Sequence, residues 1–206
     1  GEVHLGGAAG FIVPPGVATP IVSQGCRPIG SPWVVTDADG QMVRALGGQP
    51  ALDRLSQLIE SLSDADRMTA ARGLHVGVVA NELQAEFDQG DFLIRGLLGA
   101  DRASGAVAVG DLMEVGQIVQ FQVRDAESAS AELDRLLGGV TGRSSLLFTC
   151  NGRGTHLFGV PHHDASVVSE SLDGSPLAGM FCAGEVGPVG GRTFVHGFTA
   201  SIALFS

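Results

Sequence analysis

The sequence predicts an α+β protein, built mainly of antiparallel sheet flanked by a few helices. Three observations carry that expectation. Apolar runs of strand length dominate the chain, and helical periodicity appears in only three segments. Glycine makes up 31 of 206 residues without a period or tract, as many tight turns in a strand-rich fold require. A hydrophobic content of 44% fills a real core, in one large domain or two small ones.

Residues 1–30 supply strand-like pieces at Val3, Leu5, Ala8 and Phe11-Ile12-Val13, then at Ile21-Val22. Proline after Arg27 drives that residue towards an extended conformation. Trp33-Val34-Val35-Thr36 is a further short strand, and Asp37-Ala38-Asp39-Gly40 has the chemistry of a hairpin turn. Pro50 suits the first turn of a helix in which Leu52, Leu55, Leu58, Ile59 and Leu62 recur at helical spacing. Residues 63–73 read as a linker between two modules, spanning 1–66 and 74–206. Strands follow at Leu74 to Ala80, Phe92 to Leu98, Ala106 to Val109 and Gln117 to Arg124.

The last of these is the most informative. Val119, Phe121 and Val123 alternate with Gln120, Gln122 and Arg124, giving one apolar face and one of two amides and a guanidinium. That polar face is either solvated or a pocket wall able to bind a carboxylate. Asp125 can cap the next helix, whose stripe is Ala129, Leu133, Leu136 and Leu137 and which Gly138-Gly139 stops. A third helix covers Asp164 to Leu172. Residues 177–186 and 193–205 read as strands joined by a hairpin through 187–191.

Charge excludes several partners. Twelve cationic residues, all arginine, stand against 22 acidic ones, for a net charge of −10. Sequence-independent nucleic-acid binding draws on a basic surface, and an anionic membrane repels this one. With no Tyr and one Trp, a base-stacking platform is not expected. No apolar run approaches a membrane span and no secretory pattern opens the chain, so a cytoplasmic protein is expected. Opening mid-pattern on Gly1 suggests a fragment or a processed product.

The candidate chemistry lies in two small-residue corners. Cys150-Asn151-Gly152-Arg153-Gly154 and Cys182-Ala183-Gly184-Glu185 each set a thiol beside one charge. Open backbone amides around Arg153 and its guanidinium suit an anion, but no phosphate-loop pattern is present. Glu185 is either a turn carboxylate in water or a buried partner for an arginine. Cys26, Cys150 and Cys182 are too few and too far apart for a disulfide framework or a CxxC zinc site, and no metal site is expected. A cysteine nucleophile would need His156, His162, His163 or His196 as its base, so an enzyme is the lesser expectation.

Five stretches, GCRPIG (25–30), GDFLIRGLLGAD (90–101), VQFQVRDA (119–126), FTCNGRG (148–154) and PLAGMFCAGEVGP (176–188), resemble the FIST family, the F-box and intracellular signal transduction sensory proteins. The resemblance covers the end of the family's N-terminal module, to about Asp66, and its complete C-terminal module. It implies a cytoplasmic sensory domain for small ligands such as amino acids. Some relatives are haem proteins that sense nitric oxide and regulate histidine kinases. The expected ligand site joins Arg124 and Arg153 for a carboxylate, Asp125 and Glu185 for an amine, and Cys150 and Cys182 as lining. Haem on a histidine or a thiolate is the alternative. The expected partners are a small-molecule ligand, a signalling protein such as a histidine kinase, and a companion N-terminal fragment or further copies of the chain.

Overall fold

The computed structural model describes residues 6–7 and 10–206; the expected strand positions Val3, Leu5 and Ala8 lie outside the described residues. The chain begins with strands β1 (Ala18–Ser23), β2 (Arg27–Pro28), β3 (Trp33–Asp39), β4 (Met42–Leu46) and β5 (Gln49–Pro50). Helices α1 (Ala51–Ser61) and α2 (Asp64–Arg72) follow, then β6 (Leu74–Val79), β7 (Phe92–Asp101), β8 (Ala106–Val109) and β9 (Ile118–Val123). Next come α3 (Ala126–Leu137), β10 (Ser144–Cys150), a 3-10 turn (Asn151–Arg153), α4 (Thr155–Phe158) and α5 (His163–Ser171). Strands β11 (Leu177–Cys182), β12 (Glu185–Val189), β13 (Arg192–His196) and β14 (Ala200–Phe205) complete an α+β fold of mostly antiparallel sheet.

Six strands close on themselves. β9, β3, β4, β8, β7 and β6 pair in that order, and β6 pairs back to β9, every junction antiparallel. Closure removes the unpaired edges that an open sheet exposes. Side chains of period two then separate an inside from an outside. Val35, Val43, Val76, Val78, Val107, Val119, Phe121 and Val123 fill the inside, and α1 lays Ala51 and Leu55 against the same core.

The second layer is a four-stranded sheet in the order β1-β14-β10-β11, with only β10 and β11 parallel. Helices α3 and α5 cover one face, where Leu133, Leu137, Val168 and Leu172 meet Leu147, Ile202 and Leu204. The β12–β13 hairpin lies on the other face, with Ser201 Oγ donating to the Val186 carbonyl at 2.8 Å. Between barrel and sheet, Cys26, Val79, Phe92 and Ile94 form a third small cluster with Phe87 and Phe198 at its rim.

Two expectations change. The segment 63–73, expected as a linker, holds helix α2 (Asp64–Arg72): Ser63 Oγ accepts from the Asp66 amide at 3.1 Å and starts it. That helix buries no residue, so it has no apolar stripe for periodicity to reveal. Strands on both sides of it share the barrel. The C-terminal region holds four strands where two were expected. Gly187-Pro188-Val189 belongs to β12, and only Gly190-Gly191, both at positive φ, make the turn. The apolar run Met180-Phe181-Cys182 leads straight into Ala183-Gly184, and small residues in place of polar turn residues hide that break in the pattern.

Candidate functional site

The alternation along β9 places the site. Val119, Phe121 and Val123 face the barrel core, which turns Gln120 and Gln122 outwards. That outer face is not solvated, because Gln122 is only 1% exposed. Its register partner across β6 is His75, and both lie on the face that carries Phe92 and Ile94 of β7. Gly77 sits among them because any Cβ there would lie 2.6 Å from the Gln122 amide nitrogen.

Arg124 leaves the end of β9 at the mouth of a cavity of about 300 Å³. Thr69, Arg72, Gly73, His75, Arg124, Asp125, Ala126, His156 and Leu157 line it. Arg124 Nη2 donates to the Gly152 carbonyl at 3.2 Å, and Nη1 is buried without a partner. A Cβ on Gly152 would lie 3.0 Å from that Nη1, so glycine admits the guanidinium. The Phe198 ring lies 5.2 Å below the guanidinium carbon and meets His75 edge-on at 4.4 Å. Phe198 holds φ at 70°, a conformation an L-residue keeps only where its surroundings enforce it. Burial, and then Arg124, push the His75 pKa down to about 4, so this imidazole is neutral near pH 7.

Asp125 caps α3, accepting from the Ser128 amide at 2.8 Å, and also accepts from Arg27 Nε at 3.0 Å. Burial works upward on its carboxyl, but Ser128 and Arg27 outweigh it and hold the pKa low. Arg27 in turn bonds Asp66 of α2. The one carboxylate in the cavity wall is thus already matched, whereas Arg72 and Arg124 both face a ligand-sized space. The cavity favours an anion.

The other expected site residues lie behind this wall. Arg153 is 1% exposed and bonds Asp164 through Nε at 2.7 Å and Nη2 at 3.0 Å, while Thr149 donates to the same carboxylate. Its Nη1 packs against Gly25, whose positive φ and missing Cβ make room. Glu185 is also buried and accepts from Thr199 N and Oγ1, and burial raises its pKa. Cys150 and Cys182 end neighbouring strands and do not line the cavity. Of the six expected residues, the structure brings Arg124 and Asp125 to the cavity.

Sequence reading missed a buried polar seam. Glu132 of α3 accepts from Ser23 Oγ at 2.9 Å and the Gly25 amide at 2.7 Å. Its Oε1 has no partner, nor do Gln24 Oε1, both polar atoms of Gln122, Arg153 Nη1 or Glu185 Oε1. Cys26 lies in the same seam, where burial pushes its thiol up to about 12. A carboxylate on the apolar face of α3, one residue before Leu133, was the available signal.

Two of the histidines expected as haem ligands, His163 and His196, are engaged within the fold. His163 engages Asp164 and Ser130 and stacks on Phe158, and His196 Nε2 contacts the Gly187 carbonyl. His75 and His156 face a cavity whose walls carry two guanidinium groups and a carboxylate, not an apolar slot. Among the described residues no group of three or more His, Cys, Asp or Glu is placed to hold a metal ion. Among the described residues the hydrogen bonds of the Cys150 and Cys182 sulfurs go to the Gly152 amide and the Met180 carbonyl, and none joins a histidine to a cysteine sulfur. Among the described residues no helix is long and apolar enough to cross a membrane.

Comparison with known proteins adds the family. The model of the FIST C domain matches residues 51–188 and that of the FIST N domain matches residues 1–49. The chain is 50% identical over 210 residues to protein Mb0898c of Mycobacterium bovis and to MT0897 of Mycobacterium tuberculosis, and 49% identical to MT0656 of the latter. Each match covers 99% of this chain, which spans about half the length of those relatives: 54% of the first two and 55% of the third. No solved structure matches significantly.

Proposed function

We propose that this chain, which belongs to the FIST family of sensory signal-transduction domains, binds a small carboxylate in the Arg124 cavity. An amino acid or similar organic acid is the ligand class. The observation that carries the reading is the charge of the wall: Arg72 and Arg124 line about 300 Å³, and its carboxylate, Asp125, is already paired with Arg27. A guanidinium offers a carboxylate two parallel donors, and partial burial strengthens that pairing. His75 stays neutral there, and His156 adds a ring at the rim. An ammonium group on the ligand would approach Asp125. The output passes to a signalling partner such as a histidine kinase.

A thermal-shift panel tests the reading. Amino acids and organic acids are compared with their uncharged amides at matched concentration. A carboxylate that raises Tm where its amide does not supports the site, provided that Arg124→Ala abolishes the shift. Equal shifts for acid and amide, or a shift that survives in Arg124→Ala, count against it.

A further inference from the structure

Cys150 ends β10, Cys182 ends β11, and the two are Cα partners in the parallel register. Directly paired residues on neighbouring strands stand on the same face of the sheet. Both thiols are free and partly exposed, whereas Cys26 is buried. We propose that Cys150 and Cys182 form a redox modification site, converted to an intrachain disulfide by a peroxide and restored by a dithiol.

One thiol gives up its proton and, as the thiolate, attacks an oxygen of hydrogen peroxide. The O–O bond breaks, the leaving hydroxide takes up a proton and departs as water, and that sulfur becomes a sulfenic acid. The second thiol displaces the hydroxyl as another water and the S–S bond forms. The two sulfurs together lose two electrons and the peroxide gains them. Neighbouring strands run about 4.8 Å apart, inside the range of about 4.4–6.8 Å that separates the Cα atoms of a disulfide. Closure therefore needs the two side chains to turn towards each other more than it needs the strands to approach. Only strand ends must move, and β11 is the edge of its sheet. Both sulfurs are partly exposed, so a dithiol can reach the bond, which makes the site reversible.

The pair is wired to the cavity. Cys150 Sγ accepts the Gly152 amide at 3.4 Å, and the Gly152 carbonyl accepts Arg124 Nη2 at 3.2 Å. Turning the Cys150 sulfur towards Cys182 removes the acceptor for that amide and loosens the turn that holds Arg124. Oxidation thereby regulates the cavity, a consequence that rests on the proposed ligand site; the disulfide itself does not.

The test treats the reduced, full chain with hydrogen peroxide. The expected result is a loss of about 2 Da, a mapped Cys150–Cys182 peptide, and reversal by dithiothreitol. Phenylglyoxal labelling of Arg124 rises several-fold in the oxidised chain. Cys150→Ser and Cys182→Ser each prevent the loss of mass. A single-sulfur oxygen adduct, a bond that includes Cys26, a bond between two chains, or no reaction overturns the site. Unchanged labelling of Arg124 overturns the coupling. Changed labelling in a protein that binds no carboxylate leaves the redox site standing and counts against the ligand reading alone.

Discussion

At the scale of single residues, the site depends on which charges are already satisfied. Arg153 and Asp164 satisfy each other inside the protein, and both are almost fully buried. Removing one partner strands the other charge in a low dielectric, so Asp164→Ala should destabilise the fold by about 3–5 kcal/mol, read from urea denaturation. Among the described residues Arg124 has no carboxylate partner and lines the cavity, so its removal should affect binding more than folding. His75 supplies a pH signature. Its folded pKa of about 4 lies below the 6.5 of an ordinary imidazole, so the unfolded chain takes up a proton first on acidification. Its contribution to stability is complete above pH 6.5 and is lost as pH falls towards 4. Glu132 and Glu185, with raised pKa values, work in the opposite direction as pH rises. The difference between wild type and His75→Gln isolates the imidazole: the variant should lose less stability between those two pH values. Parallel profiles would remove His75 from the account. None of this pairing was legible in the sequence. Arg153 and Arg124 both stand just beyond strand ends, and only the fold decides that one meets Asp164 and the other a cavity.

At the scale of elements, the sequence was readable wherever burial is one-sided. The β9 alternation, the α1 and α3 stripes and the Asp125 cap all follow from local period and turn chemistry. Helix α2 escaped because it buries nothing, and β11 to β14 were merged because small and apolar residues run across the breaks. Packing of β11 gives a sharp prediction. Gly179 lies in register with Leu147, and a Cβ there would overlap the Leu147 carbonyl oxygen. Gly179→Ala should detach β11 from β10 and abolish amide protection over 177–182 in hydrogen exchange, while the barrel strands stay protected. Retained protection of β11 would show that the strands are less closely packed.

At the scale of the whole molecule, the two family segments are woven together. β1 pairs with β14 at the end of the chain, and β3 and β4 pair with β9 and β8. Loss of the front strands opens the barrel, so the chain should unfold as one unit. Trp33, the single tryptophan, sits in β3 where it meets β9. Its fluorescence and the far-UV circular dichroism should report coincident urea transitions; two separated midpoints would mean that the segments fold independently. The interlocking was invisible in sequence because pairing between β1 and β14 spans nearly the full chain, and no local pattern encodes a partner that distant. Net charge was legible, and it places the few arginines that remain near a cavity at the centre of any anion recognition. The most direct measurement is a calorimetric titration of the best carboxylate from the panel into wild type and Arg124→Ala. The account predicts saturable binding to wild type and a loss of about 10- to 100-fold in affinity in the variant, the worth of a charged hydrogen bond. A carboxylate that binds both proteins equally well, or a panel in which none binds, would contradict it.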